Sequence, residues 1–420
     1  MKALYNPVTA VASRSRLATL GFLVLPLLLA GSGCGRVSGD SRDGQPDPAS
    51  AFCFDVVAVD GTLHLLFALP PETDDAPMSL FHTYSKDAAA SWSDPAAIPA
   101  DHAPPGRHGR GNDPQLAVSG NRLMAVWTAE GEGPWGSGPL GTAVSENGGR
   151  TWSPGPAPSD QAPASETGFR FPAVAADDEG FHAIWIHAVD TERSLRHARL
   201  EFGGDGWSEP GVIDPGICAC CWNRLEIAGD GTLVALYRDH DPSDMGLATS
   251  GDGGRNWELR GRVGEFDWYF EGCPHVGGGL ALGIGDDGHP RILASVWTGE
   301  DGENGAYAFR SGDLGNSWKR EAIPESATRA GRSTDVAILE DGTEVLVWDQ
   351  PAEDDSKEIY SALKKNGGTS WGKPRRLSGA GLFATHPRTA GVGNTAVVFW
   401  TEEDPRGDSR LSWLPLKDPD

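Results

Sequence analysis

Three of the six cysteines in this 420-residue chain fall within four residues. Cys218, Cys220 and Cys221 lie in the stretch GICACCWNRLEI, and Cys273 follows in GCPH with His275 two residues later. Thiolates and imidazoles are preferred ligands of copper(I) and zinc, so these residue types could bind a soft metal. Outside the cytoplasm, cysteines more often form disulfides. A third possibility is a reactive thiol.

The spacing narrows the choice of disulfide partners. Cys220 and Cys221 are adjacent, and Cα atoms about 3.8 Å apart are closer than a disulfide normally spans. We therefore expect them to have different partners. The disulfide candidates, which would leave Cys53 over, are Cys218, Cys220, Cys221 and Cys273. The candidate ligands of the alternative copper or zinc site are Cys220, Cys221, Cys273 and His275. No other cofactor is expected.

A repeated turn sequence indicates which elements position these residues. Aligned on a tryptophan, its copies are SKDAAASW (85–92), SENGGRTW (145–152), FGGDGW (202–207), SGDGGRNW (250–257), SGDLGNSW (311–318) and KKNGGTSW (364–371). Five or six copies at a near-regular spacing are typical of a repeat protein. In such a turn an Asp or Asn side chain accepts backbone N–H groups, Gly supplies a positive φ and Trp packs against neighbouring strands.

This turn resembles the Asp box, or BNR repeat, of sialidase-like β-propellers, and the resemblance spans about residues 52–416. It implies that the box is structural. In that family the box lies in the turn between the third and fourth strands of a blade, away from the face that binds ligands.

A second repeat precedes each box. It is an apolar strand, a Gly/Asp turn and a second apolar strand, as in DVVAVDGTLHLLFAL (55–69). Seven such pairs end in an aromatic residue: Phe67, Trp127, Trp185, Tyr237, Trp297, Trp348 and Trp400. Their near-continuous apolar runs are typical of strands buried on both faces, such as the two inner strands of a blade. We predict an all-β fold, a single β-propeller of four-stranded antiparallel blades, with seven blades favoured and six, as in sialidases, as the alternative.

The predicted organisation has three parts. Residues 1–33 are a lipoprotein-type signal peptide, residues 34–51 a flexible tether and residues 52–420 the propeller. The predicted blades cover about 52–99, 113–158, 171–213, 223–262, 276–323, 334–377 and 386–416. The last has three visible strands, and its fourth is absent or supplied from near the N-terminus.

The N-terminus has the pattern of an export signal. Lys2, Arg14 and Arg16 flank or precede an apolar run at 17–31 that is short for a membrane span. The small residues leading to Cys34 resemble a bacterial lipoprotein signal, which implies that Cys34 is lipidated. The alternative is an ordinary secretory signal. We expect a protein anchored by lipid in the bacterial cell envelope, periplasmic or at the cell surface, or otherwise secreted.

The charge of the chain restricts its partners. A net charge of −24 repels nucleic acid and anionic lipid. We therefore expect membrane contact only through the N-terminal lipid. The expected partner is a glycan or other small ligand, or a protein of the envelope, and we expect a monomer.

The fold prediction indicates where a ligand would bind. Propellers bind ligands at the end of the central channel where the innermost strands begin. The residues just before each inner pair are therefore the candidates, and they include the cysteines above. The candidate ligand-binding residues are Arg110, Arg170, Arg224, His275, Arg332 and Arg388.

The resemblance to sialidases implies further roles. Phe169, Arg170, Phe171 and Pro172 are similar to the first sialidase motif, although here the motif follows two boxes, whereas the family has it upstream of the first. With Arg332 and Arg388, Arg170 would form an arginine triad on a substrate carboxylate. The implied acid/base, nucleophile and helper are respectively Asp190, Tyr269 and Glu271.

Three functions remain open from the sequence. We predict a propeller that binds a ligand (a glycan, an anionic small molecule, a protein or a metal) at its Cys- and Arg-rich central face. The alternative is an exo-α-sialidase-like glycoside hydrolase acting on terminal acidic sugars. The third is an assembly scaffold without a small-molecule site.

Overall fold

A computed structural model describes residues 45–71, 76–106, 109–158, 167–189, 192–285 and 288–416. The predicted signal peptide, Cys34, most of the tether and Asp190 lie outside these residues. Within the described ranges, no helix combines the length and the apolar character needed to span a membrane.

Five sheets each contain four antiparallel strands. The first has β1 (Cys53–Val59), β2 (Thr62–Leu69), β3 (Ser79–Ser85) and β4 (Ala96–Ala97). The second has β5 (Gln115–Ser119), β6 (Arg122–Glu130), β7 (Ser137–Ser145) and β8 (Ser153–Pro154). The third has β9 (Thr167–Ala176), β10 (Gly180–Val189), β11 (Glu192–Glu201) and β12 (Gly211–Asp214). The fourth has β13 (Arg224–Ile227), β14 (Leu233–Arg238), β15 (Met245–Ser250) and β16 (Glu258–Val263). The fifth has β17 (Gly279–Ile284), β18 (Pro290–Thr298), β19 (Gly305–Ser311) and β20 (Lys319–Arg320).

The remaining strands form one seven-stranded sheet. Its strands are β21 (Thr334–Ile338), β22 (Glu344–Pro351), β23 (Lys357–Lys364), β24 (Arg375–Arg376), β25 (Phe383–Val392), β26 (Thr395–Glu403) and β27 (Ser409–Leu416). A short helix, α1 (Glu325–Ala330), precedes this sheet, and 3₁₀ turns lie at Pro48–Ser50 and Pro134–Gly136.

The structure confirms an all-β propeller of four-stranded antiparallel blades but not the predicted number of blades. Five sheets are separate four-stranded blades, whereas the sequence predicts seven, with six as the alternative. The difference arises at one point, where Lys357 of β23 pairs in parallel with Phe383 of β25. This single pair merges the strands of residues 334–416 into one sheet.

The first strand of each sheet, together with β25, lines the central channel. These strands contact one another in chain order, and β25 contacts β1, so the ring closes. Six of the seven aromatic residues that end the inner pairs are buried, and Trp297 is partly buried. Trp127, Trp185 and Trp348 are among the largest fully buried side chains. Burial on both faces explains the near-continuous apolar runs of the inner strands.

The repeated turn has the expected position and hydrogen bonds. Asp87 lies between β3 and β4, and its carboxylate accepts the N–H of Ser91 at 2.9 Å. Asp313 lies between β19 and β20 and accepts the N–H of Ser317 at 2.9 Å. Both side chains are exposed, and their carboxylates are hydrogen-bonded within their own turn. They therefore stabilise the turn and do not take part in chemistry at the channel.

Candidate functional site

Successive strands of a blade run in opposite directions. The connections that lead into the inner strands therefore lie on the same face of the ring as the loops between the second and third strands. We call this the ligand face. Several non-glycine residues on it have positive φ, including Trp135 (56°), Phe171 (51°), His275 (57°) and His386 (52°). Such conformations are uncommon and concentrate at functional sites. Phe171 and His386 lie at bulges of the β9–β10 and β25–β26 pairs, which redirect their side chains.

Trp222 is buried among residues that lead into different inner strands. Its indole N–H donates to the Gly278 carbonyl at 3.2 Å, and its ring centroid lies 5.4 Å from that of His386. Gly111 of the second blade packs on the same ring so closely that a Cβ there would lie 3.0 Å from it. Trp222 therefore contacts three separated parts of the ring.

Further along the inner strands is a polar cavity of about 310 Å³ that is lined by all seven channel strands. Arg388 lies in it, 3.0 Å from an Asp55 oxygen and 3.2 Å from an Asp335 oxygen. Arg224 lies 3.9 Å from the other oxygen of Asp335. Burial disfavours the Arg388 cation, but Asp55 and Asp335 more than offset this and raise its pKa.

Glu226 faces the same cavity. Burial inside the channel raises the pKa of its carboxyl to about 7, although Arg388 and Arg224 act in the opposite direction. Its side chain is exposed to the space of the channel, not to the outer surface.

Three of the six predicted ligand-binding residues form ion pairs with carboxylates of the protein itself. Arg224 and Arg388 pair with channel carboxylates, as above. Arg110 pairs with Asp113 and donates to the carbonyl of His386 at 2.9 Å, so it joins the second blade to the last sheet. The predicted triad of Arg170, Arg332 and Arg388 is therefore not a set of three available cations.

The cysteines converge on the ligand face. Cys220 and Cys273 form a disulfide that spans 53 residues of sequence. The Cys218 sulfur lies 3.5 Å from that of Cys220 and 3.8 Å from that of Cys221, and the Cys273 sulfur lies 3.6 Å from Nδ1 of His275. We call these five residues the sulfur cluster. Of the four disulfide candidates, Cys220 and Cys273 are bridged, and Cys218 and Cys221 keep their thiols.

Cations surround the buried end of the sulfur cluster. The hydrogen bond with Cys221 lowers the pKa of Cys218 to about 7 against the effect of burial, and Arg238 and Arg193 act in the same direction. Burial raises the pKa of Cys221. Arg238 is only 1% exposed and donates to the carbonyls of Val276, Ser243 and Trp297.

Among the predicted ligand-binding residues, Arg170 has no ion pair with a carboxylate of the described residues. Its side chain is 4% exposed, and its Nε and Nη2 atoms are buried without a hydrogen-bond partner. The guanidinium lies 4.0 Å from the ring centroid of Trp135, which is 69% exposed. Burial, with the nearby Arg193, lowers the pKa of Arg170 to about 10. A buried cation without an anion is costly and marks a binding position.

His275 and Arg332 lie beside Arg170. The His275 ring packs edge-on against Phe171, with 5.9 Å between ring centroids. Burial lowers the pKa of His275, and Arg170 and Arg332 lower it further. Arg332 is anchored by a hydrogen bond to the Pro274 carbonyl at 3.1 Å and lies over Trp297. The structure thus brings together Arg170, Arg332 and His275 at the sulfur cluster.

The catalytic residues implied by the sialidase resemblance do not form a defined site. Tyr269 is 68% exposed, and Glu271 is exposed on the same connection. Within the described ranges, neither side chain has a hydrogen bond that would hold it as a nucleophile and its helper. Asp190 lies outside those ranges.

Sequence reasoning missed three residues of this face: Trp135, Trp222 and Arg238. Trp135 precedes β7 in a loop whose sequence, GEGPWG, indicates only a turn. Trp222 directly follows the cysteines, and Arg238 ends an inner strand in YRD. Of these, only Arg238 had a signal in the sequence, as a charged residue at the end of an otherwise apolar strand.

No protein-family model matches the chain, and no curated protein sequence matches it. Solved structures do match. A PL25 ulvan lyase bound to -[GlcA(1-4)Rha3S]- has a TM-score of 0.57 at 9% identity, covering 87% of this chain and 93% of the lyase. Polysaccharide lyase Uly1 has a TM-score of 0.51 at 9% identity, covering 93% of each chain.

Sialidases are also among the similar structures. A Hadza microbial sialidase has a TM-score of 0.48 at 16% identity, covering 72% of this chain. The chain spans 65% of the length of that sialidase. At 9% identity the likeness to the two lyases supports the β-propeller fold, and the reaction must be argued from the site.

Proposed function

We propose that this protein binds an acidic carbohydrate on its ligand face, with Arg170 receiving the carboxylate or sulfate group. The observation that carries the proposal is the Arg170 guanidinium, which is buried and lacks an anionic partner among the described residues. A planar guanidinium is well suited to bidentate contact with an oxyanion. Trp135, stacked on Arg170 and largely exposed, offers an aromatic surface to a sugar ring.

The electrostatics of the face support an anionic ligand in an acidic protein. The chain carries a net charge of −24, which repels anions at long range. Arg170, Arg193, Arg332 and Arg238 are concentrated around the sulfur cluster and reverse that field locally. We expect recognition to depend on these few cations and therefore on ionic strength.

Analogy supports the class of ligand. The ulvan lyase with this fold is bound to a saccharide that contains a uronic acid and a sulfated sugar. The analogy concerns the fold alone, so it suggests a class of ligand and not a reaction. Hydrolysis of terminal acidic sugars is the alternative, in which Tyr269, Glu271 and Asp190 would act. Binding is favoured because Arg388 is committed to Asp55 and Asp335 in the channel.

The finer features of the fold belong to the same proposal. We propose that the seven-stranded sheet acts as two blades, giving seven around the channel, since an apolar cluster containing Val345, Ile359, Val398 and Trp400 lies between its halves. We further propose that the turns are Asp boxes. From the sequence pattern, the protein would be exported, lipid-anchored through Cys34 to the bacterial envelope, and monomeric.

Calorimetric titration with uronic-acid, sulfated and sialylated oligosaccharides tests the proposal. Arg170→Met should abolish binding of an acidic oligosaccharide, whereas Arg150→Met, an exposed arginine in the turn between β7 and β8, should not. Equal binding by Arg170→Met and the wild type would overturn the proposal. Release of sialic acid by the wild type and not by Tyr269→Phe would favour the hydrolase instead.

A further inference from the structure

The sulfur cluster contains two overlapping sets of metal-ligating atoms. The sulfurs of Cys218, Cys220 and Cys221 form one set, and the atoms of Cys220, Cys273 and His275 form the other. Within each set all ligand atoms lie within 4.8 Å of one another. Cys220 belongs to both sets, so its sulfur links the two groups of candidate ligands.

The spacings match those of a tetrahedral soft-metal site. Two thiolates bound to one ion at about 2.3 Å lie roughly 3.8 Å apart, and a thiolate and an imidazole lie roughly 3.6 Å apart. The observed sulfur–sulfur distance is 3.8 Å for Cys218 and Cys221. The Cys273 sulfur lies 3.6 Å from Nδ1 of His275. The backbone therefore already holds these side chains at ligating distances.

The surrounding structure fixes this arrangement and gives an ion a way in. The cysteine segment is pinned by β-bridges from Gly216 to Arg193 and from Ile217 to Asp239. The N–H of Cys218 donates to the Arg238 carbonyl at 2.9 Å. The three sulfurs of residues 218–221 are buried, whereas Cys273 and His275 are exposed at the rim. The buried sulfurs are therefore shielded from solvent, and the exposed side of the cluster leaves an ion an entry path, as a metal site requires.

We propose that the sulfur cluster is a soft-metal site for copper(I) or zinc, and that the Cys220–Cys273 disulfide is its oxidised, metal-free form. A dithiol reductant would supply two electrons and two protons, converting the disulfide into two thiols while becoming a disulfide itself. Binding of the ion by thiolates then releases protons to the solvent. This inference is independent of carbohydrate binding by Arg170.

The ligand types favour soft ions over hard ones. The five candidate ligands are four sulfurs and one imidazole, and no carboxylate belongs to either set among the described residues. Thiolates select copper(I) and zinc, whereas calcium and magnesium require oxygen ligands. We therefore expect calcium not to compete with zinc at this position.

Metal titration of the full chain, in its oxidised and dithiol-reduced forms, tests the proposal. Zinc would be followed with a chromophoric chelator and copper(I) by competition with a copper(I) chelator, both without oxygen. The reduced protein should bind one ion per chain, and the oxidised protein should bind more than about ten-fold more weakly. Cobalt(II) should give sulfur-to-metal charge-transfer absorption only in the reduced form. Equal binding by both forms would overturn the proposal.

Variants separate the cluster from other thiols. Cys221→Ser and His275→Ala should each weaken binding, and Cys53→Ala, which removes a buried thiol outside both sets, should not. Because a core variant can fail to fold, thiol alkylation read by mass spectrometry gives a second measurement on the wild type. Bound metal should protect Cys218, Cys220, Cys221 and Cys273 in the reduced protein. Unchanged alkylation of these four residues with metal present would also refute the site.

Discussion

His82 of the first blade contacts the carbonyl oxygen of Gly149 in the second, with 3.1 Å between ring Nδ1 and the oxygen. A carbonyl only accepts, so Nδ1 carries the proton, and Nε2 of His82 accepts from Nδ1 of His64 at 3.1 Å. The third blade contains a second histidine pair, in which Nδ1 of His182 lies 3.1 Å from Nε2 of His197. His197 in turn meets Gly254 of the fourth blade. These histidine pairs fasten the third strand of one blade to the turn of the next.

The histidine pairs should make the protein sensitive to acid. Burial lowers the pKa of His82 to about 3, that of His197 to about 3 and that of His64 to about 4. In the unfolded chain each would titrate near 6.5, so below that pH the unfolded state binds more protons. The stability is complete above about pH 6.5 and is lost as the pH falls toward 3, by up to about 1.4 kcal/mol per pH unit for each histidine.

Urea denaturation between pH 7.5 and 5 measures this loss. His82→Gln, which keeps a donor for the Gly149 carbonyl, should flatten the dependence of the unfolding free energy on pH. His240→Gln, at an exposed position, should leave it as in the wild type. If His82→Gln and the wild type lose stability equally between these pH values, the buried pair is not the acid-sensitive element.

Gly149→Ala should destabilise the protein more than another glycine replacement of similar backbone conformation. Gly149 has a φ of 80°, and a Cβ there would lie 2.0 Å from Cε1 of His82. Gly231 has a φ of 84° with no atom within 4 Å of its Cβ position. Both variants carry the left-handed backbone cost of roughly 1–2 kcal/mol. Only Gly149→Ala must also displace His82, so the difference between their unfolding free energies measures the packing of that ring.

Arg388→Met should cost about 3–5 kcal/mol of unfolding free energy, because it removes the one cation that pairs with both buried carboxylates, Asp55 and Asp335. Arg406→Ala is the matched control. Its side chain is 80% exposed and pairs with Asp404 and Asp408 at the surface, so the expected cost is at most about 0.5 kcal/mol. Thermal denaturation of both variants at neutral pH gives the comparison. A cost for Arg388→Met as small as that for Arg406→Ala would mean that the channel pairs are solvated.

The sequence predicts local features of this fold well because repeats report local structure. The turns at Asp87 and Asp313 and the apolar pairs that end in Trp127 or Trp348 follow from the spacing of residues close in the chain. The number of separate sheets does not, since it depends on one parallel pair between Lys357 and Phe383.

The same limit explains the outcome for the candidate site. An arginine before an inner strand is visible in the sequence, but its partner across the channel is not. Arg388 meets Asp55 from the opposite end of the chain, whereas Arg170 meets no carboxylate in the described part of the chain. The Cys220–Cys273 bridge joins two of the candidate cysteines, because neighbouring blades bring their first strands together. Whether Cys218 and Cys221 join a second bridge depends on side-chain geometry that spacing does not contain.

Arg170→Met should stabilise the protein while removing its proposed ligand site. The wild-type guanidinium is buried with Nε and Nη2 unpartnered, and burial lowers its pKa to about 10. It therefore stays charged at neutral pH, but burying that charge costs free energy on folding. A methionine of similar length removes that penalty and keeps the contact with Trp135, which predicts a gain of about 1–3 kcal/mol. Chemical denaturation without ligand measures the gain, and Arg170→Lys, which keeps a cation, should show none.

Adding an acidic oligosaccharide should raise the melting temperature of the wild type and not that of Arg170→Met. A loss of stability in Arg170→Met would show instead that the guanidinium is satisfied within the protein and holds the blades together.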